Sequence, residues 1–186
     1  SCSHSGTGHA ALPDPRAVDK SVPEYKNPFH PSTYAHFVAR KDYRKTYDVY
    51  KDDTLLNRQP KKSRKIFVCL DEQRGQYLVD GLVAMDFPLS SGVKAYPTKT
   101  GDYAVISKKE DHTSNLYGKM YDAEGKCINY NAESTDPVPE GGRFDGSPMP
   151  YWQRLTNAGL GLHVGKVRRH PVSHGCVRLP RNVAEI

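Results

Sequence analysis

The sequence predicts a mainly β domain with a few short helices, and three observations carry that expectation. Short apolar runs bounded by turn residues recur from Lys65 onward, "KIFVCLD" being the first. "QYLVDGLVAMDF" (76–87) sets Asp-Gly between two apolar segments, a hairpin signal because that dipeptide accepts the positive φ of a two-residue turn. Fourteen Pro and fifteen Gly in 186 residues supply the turns that many short strands require.

Taken in order, residues 1–31 are rich in Ser, Gly, Pro and His, lack periodicity, and read as a flexible tail. Residues 32–64 read as an N-terminal extension, partly helical, with Ser32 after Pro31 as the expected N-cap. "PKKSRK" (60–65) reads as a solvated linker. From 65 to 186 the pattern is that of one β domain. "GDYAVISKK" (101–109) alternates, with Tyr103, Val105 and Ser107 on one face. "NAESTDPVPEGGRFDGSPMP" (131–150) reads as one long turn-rich loop, and "AGLGLHVG" (158–165) as a strand. A short helix is expected to begin near Pro180.

The mean hydropathy of −0.72 and apolar runs no longer than "IFVCL" (66–70) argue against a membrane span. A net charge of +6 suits an anionic partner, yet no nucleic-acid-binding module is visible. The four cysteines, at 2, 69, 127 and 176, form no CxxC pair. Cys69, inside an apolar run, reads as a small buried hydrophobe. Cys2, beside the start of the sequence, has the position that a bacterial lipoprotein leaves, so a lipid anchor is one reading of it.

Chemistry concentrates in "HVGKVRRHPVSHGCVRLPR" (163–181), which holds five Lys or Arg, three His and no acid. A Cys in such a field is expected to titrate low, and the thiolate is the nucleophile. Gly175 permits a bend that presents N–H groups to an oxyanion. A general base is required, and His163 or His174 supplies it on residue type alone. The competing reading is a zinc site of His163, His174 and Cys176 with His170, opposed by the positive surround and the lack of a carboxylate. No metal and no cofactor are expected.

"SHGCVRL" (173–179), preceded by the His of "GLGLHVG" (159–165), resembles the signature of the bacterial L,D-transpeptidase catalytic domain, the YkuD-like family. "IFVCLDEQRGQYLVDG", "FPLSSGVKAYPTKTGDYAV" and "MPYWQRLTNAGLGLH" resemble the family's successive segments. The resemblance implies a β-sandwich-like domain that acts on peptidoglycan stem peptides through a thioester, resolved by an amine from a second stem or a protein. It implies Cys176 as nucleophile, His163 as base, His174 lining the site, and the Gly175 and Cys176 N–H groups at the oxyanion. It implies substrate contact by Ser173, Arg178, Tyr151 and Trp152, with Arg168 and Arg169 as further partners for stem carboxylates, and a place in the cell envelope, periplasmic or lipid-anchored. Val164 stands where many members have Gly, nine residues separate His163 from Ser173, and the family usually continues to a further strand, which implies a C-terminally incomplete domain. An L,D-carboxypeptidase on the same site and a non-catalytic wall-binding domain are the alternatives to transpeptidation.

Overall fold

A computed structural model describes residues 14–60 and 63–186. Eleven strands and three short helices make up its regular structure among the described residues, so the mainly β expectation holds. Strands β1 (Tyr50–Lys51), β2 (Arg64–Cys69), β3 (Arg74–Val79) and β4 (Leu82–Pro88) form one sheet in the order β1-β4-β3-β2. Strands β5 (Ser107–Lys109), β9 (Trp152–Arg154), β10 (Gly161–Val164) and β11 (Val177–Leu179) form a second in the order β11-β10-β9-β5. A three-stranded sheet, β7-β6-β8, consists of β6 (Thr113–Tyr121), β7 (Cys127–Glu133) and β8 (Arg143–Pro148).

The expected hairpin joins β3 to β4. Asp80 and Gly81 have φ of 51° and 84°, the two positive values of a turn whose twist matches its strands. β4 is buried on both faces, which explains its almost unbroken apolar sequence. Met85, Phe87 and the following Leu89 pack with Leu162, Val177 and Leu179 of the second sheet and with Val183 and Ala184 of helix α3 (Arg181–Ala184). This core, between two sheets, is the sandwich. Gly75 pairs with Phe87, and a Cβ there would collide with the phenyl ring.

Asp86 points the other way, toward the N-terminal extension, and is fully buried. Arg74 Nε donates to it at 2.7 Å, and the hydroxyls of Tyr34 and Tyr43 donate at 2.6 and 2.8 Å. Arg74 also donates to the carbonyls of Thr46 and Asp48 and lies 4.9 Å from the Tyr43 ring centroid. Phe37, Val38 and Tyr43, with Tyr34 and Tyr50, complete a second apolar cluster on this face. The extension is thus the outer layer of the first sheet.

Several sequence expectations need correction. Helix α1 is Tyr34–Ala39 and its cap is Thr33, whose hydroxyl accepts from His36 N, not Ser32. The extension's second helix, α2, is Asp53–Asn57, capped by Asp52. Residues 14–31 hold no helix or strand, but they are tied to the domain: Lys20 Nζ and Tyr25 Oη donate to the carbonyls of Val38 and Ala39, and Phe29 is buried. The rest of the expected tail, with Cys2, lies outside the described residues, as do 61–62 of the expected linker; Arg64 and Lys65 already belong to β2. Only 107–109 of the expected 101–109 strand pair with a neighbour, and Tyr103 and Val105 are exposed, so their alternation marks no buried face. The supposed loop 131–150 contains the end of β7 and all of β8, whose Gly146 packs a backbone against Ser114 where a side chain would not fit. Cys69 is disulfide-bonded, whereas Cys127 and Cys176 are free. No helix among the described residues is long and apolar enough to cross a membrane.

Candidate active site

The second sheet separates core from cleft by strand alternation. Leu162, Val177 and Leu179 face the core, so His163 and Arg178, paired across the parallel β10–β11 ladder, face outward together. Continuing that register by one residue sets Cys176 beside Gly161, on the same outward face. On β9, Trp152 and Arg154 also face outward, Arg154 paired with Gly161. These side chains and the inner edge of the three-stranded sheet enclose a cleft of about 960 Å³.

The turn that carries Cys176 is braced by backbone and hydroxyl groups. Ser90 and Arg178 exchange both main-chain hydrogen bonds, and Val172 and Ser173 N–H donate to Ser91 O. Ser173 is buried; its hydroxyl donates to Cys176 O and accepts from Gly175 N at 3.2 Å. Thr98 Oγ1 donates to Gly175 O at 2.6 Å and accepts from Gly92 N at 2.8 Å. Gly175 has φ of 114°, a conformation open to Gly, and Gly92 sits so close to Tyr96 O and Gly175 Cα that no side chain fits.

Cys176 Sγ donates to Gly159 O at 3.3 Å. Burial pushes the thiol up, and the Gly161 N–H and Arg178 oppose this only in part. The low-titrating thiolate expected from the basic segment is therefore corrected, because among its cations Arg178 is the one that acts on the sulfur. His163 is 7% exposed, with its Nδ1–H donating to Val164 O at 2.8 Å. Burial draws its pKa down to about 4, with Arg178 and His112 adding to the effect and the Val164 carbonyl opposing it. The imidazole is neutral at pH 7, with Nε2 as its acceptor nitrogen. A backbone carbonyl orients the ring, so Val164 in place of Gly costs nothing in that contact.

His174 lines the same cleft. It is exposed, stacked on Tyr117 at 4.4 Å between centroids and tilted against Tyr96 at 4.8 Å. Trp152 is 2% exposed, stacked on His112 at 4.9 Å and 6.2 Å from His163, so it supports the cleft floor. Its Nε1 is buried without a partner among the described residues. Arg178 lines the cleft, and Gly165 leaves room for its side chain. Tyr151 packs on the sandwich core with Arg181 over its ring and is not among the residues that line the cleft. Ser173, expected at the substrate, lines the cleft and also braces the turn that carries Cys176. Arg169 leans over Tyr47 of the extension and neither it nor Arg168 lines the cleft, whereas Lys166 does. Among the described residues, no three His, Cys, Asp or Glu side chains gather as a metal site.

Sequence reading missed His112, Tyr96, Tyr117, Thr98 and Arg154. None lies in the basic segment; Gly92 in "SSGV" was the available signal that a backbone approaches closely there.

The second sheet thus presents Cys176 and a carbonyl-oriented His163 to one cleft. The chain belongs to the L,D-transpeptidase catalytic-domain family, YkuD, whose family model matches residues 63–186. Among solved structures, it is similar to an L,D-transpeptidase from Mycobacterium smegmatis, with 21% identity, 62% of this chain and 48% of that one covered, and a TM-score of 0.45. An L,D-transpeptidase from Stackebrandtia nassauensis is 22% identical over 69% of this chain and 50% of that one, with a TM-score of 0.45. The catalytic domain of the E. faecium L,D-transpeptidase is 28% identical over 66% of this chain and 85% of that one, with a TM-score of 0.46. The chain thus spans about half the length of the first two. No curated protein matches it.

Proposed function

We propose that this protein is a cysteine-dependent L,D-transpeptidase of the cell envelope, acting on peptidoglycan stem peptides through a thioester at Cys176. The observation that carries this reading is the outward-facing set Cys176, His163 and Arg178 on adjacent positions of β10 and β11, within a chain of this family. Thiol and imidazole are both neutral at rest, so attack and proton transfer are coupled. As Sγ adds to the carbonyl carbon, Nε2 of His163 takes the thiol proton, and the Cys176 N–H faces the developing oxyanion. The Gly175 N–H is already engaged by Ser173, which leaves that second expected donor to positioning. His163 then returns the proton to the leaving amine, and the acyl group stays on sulfur. An incoming amine, from a second stem or an anchored protein, loses its proton to His163, and the thiol is restored. Arg178, next to His163, suits the carboxylate of the departing terminal D-residue.

The test is intact-mass analysis after exposure to a stem tetrapeptide. A thioester on Cys176 that an added amine converts to a cross-linked product supports transpeptidation. Release of free tripeptide in the presence of that amine assigns the chain to hydrolysis, as a carboxypeptidase. No adduct on Cys176 removes the reading.

A further inference from the structure

Three consecutive peptide units make the turn that carries Cys176, and two hydroxyl groups hold all three. The unit joining His174 to Gly175 gives its N–H to Ser173 Oγ. The unit joining Cys176 to Val177 accepts the Ser173 hydroxyl at its carbonyl. The middle unit, Gly175 to Cys176, accepts Thr98 Oγ1 at its carbonyl, at 2.6 Å. Thr98 is fixed in turn by Gly92, whose N–H donates to the same hydroxyl oxygen at 2.8 Å. A carbonyl only accepts and an amide N–H only donates, so the Thr98 hydroxyl proton must point at Gly175 O. The Cys176 N–H has no hydrogen-bond partner among the described residues.

A peptide unit is planar, and in the trans form its C=O and N–H point to opposite sides. Holding Gly175 O therefore aims the Cys176 N–H. Thr98 does not line the cleft, whereas Gly175 and Cys176 do. The carbonyl is thus drawn behind the turn, and the N–H of the same plane is turned to the cleft. Gly175 cannot hold that plane by itself: its φ is 114°, and without a Cβ its backbone is soft. The orientation has to come from a hydrogen bond. The base of that bond is rigid, because Gly92 backs onto Gly175 Cα and Thr98 N so closely that a Cβ would strike both. Donation into the carbonyl also polarises the unit and strengthens its N–H as a donor.

Resting on the thioester chemistry proposed above, we propose that Thr98 is a positioning residue that aims the Cys176 N–H at the oxyanion from behind the turn. It acts through the Gly175–Cys176 peptide. Its effect is confined to reactions that put negative charge on a carbonyl oxygen. Alkylation by iodoacetamide is not one of them. There Sγ bonds to a saturated carbon, iodide leaves with the electron pair, and the thiol proton goes to solvent.

Two acyl donors test this, a stem tetrapeptide and p-nitrophenyl acetate, which has no peptide to be recognised. Single-turnover acylation of Cys176 is followed by peptide mapping, beside its alkylation by iodoacetamide. T98V keeps the shape of the side chain and loses both hydrogen bonds; T98A, run in parallel, loses them without adding a methyl. Both variants are expected to acylate at least about 10-fold more slowly with either donor, part of the roughly 100-fold or more that a lost oxyanion donor costs. Alkylation keeps its wild-type rate, and T98S, which retains the hydroxyl, recovers most of the acylation. Wild-type acylation rates in T98V and T98A overturn the proposal. An equal loss of acylation and alkylation also overturns it, because the sulfur itself has then moved. A wild-type chain acylated by the ester and not by the tetrapeptide overturns the transpeptidase reading, while the ester still decides the role of Thr98. A wild-type Cys176 that neither donor acylates overturns both.

Discussion

Two polar clusters sit on the two four-stranded sheets of this molecule, and they differ in how completely they are satisfied. Behind β4, Asp86 and Arg74 are 0% and 2% exposed in their side chains, and every oxygen and nitrogen of the pair that is hydrogen-bonded meets a tyrosine, a carbonyl or its ion partner. On β9–β11, by contrast, among the described residues Arg154 and Arg178 have no carboxylate and Trp152 Nε1 has no partner, and His163 is held neutral with a spare acceptor. Closed networks of the first kind fix where one layer sits on another. Open ones of the second kind leave interaction capacity for a ligand, at a cost in stability.

Four predictions break or sharpen that contrast. The largest effect falls on Cys176→Ala, which abolishes turnover while thermal unfolding stays close to wild type; retained turnover removes the thiol mechanism. Next, Asp86→Ala strands the Arg74 guanidinium in a dry site and is expected to cost about 3–5 kcal/mol in urea unfolding. The folded fraction of that variant should acylate normally, and an acylation defect matching the stability loss would erase the division between the two clusters.

His163→Ala is expected to slow acylation by at least ~100-fold, the scale of a lost general base. In the wild-type chain the acid limb of the acylation profile should lie near pH 4, where the imidazole protonates, and not near its ordinary value. The same depressed pKa links to stability. The unfolded chain binds this proton first, so His163's contribution is complete above about pH 6.5 and falls by up to about 3 kcal/mol as pH drops toward 4. His163→Gln should flatten that slope in unfolding experiments at several pH values. The smallest effect is that of His174→Ala. It removes two ring contacts that steady the turn and should slow acylation by roughly 10-fold or less, leaving the acid limb in place. A shift of that limb in His174→Ala would transfer the base role to His174.

The legible parts of the sequence were those set by local rules. Asp80-Gly81 announces its hairpin because few other pairs accept two positive φ angles. The apolar strand at 158–165 and the motif around Cys176 pointed to His163 and Cys176, which the structure sets on one cleft, and the resemblance preferred His163 to His174 as base. β8 was hidden because "GGRFDGSPMP" looks like a turn; its glycines serve close packing against β6, a property of the partner strand. The thiol's upward shift was equally invisible. A sequence counts five cations near Cys176, but only tertiary packing determines that the sulfur is buried and that Arg178 alone among them reaches it.

By itself, then, the chain's order of residues determined the β class, the hairpin and the motif around Cys176, because each depends on neighbours a few positions apart. Only the tertiary structure decided that the extension covers Asp86, that Tyr151 turns into the core, and that Thr98 reaches Gly175 O. Burial, ladder register and field strength depend on distance through space, and Thr98 and Gly175, 77 positions apart, are brought together by a fold that sequence separation does not order.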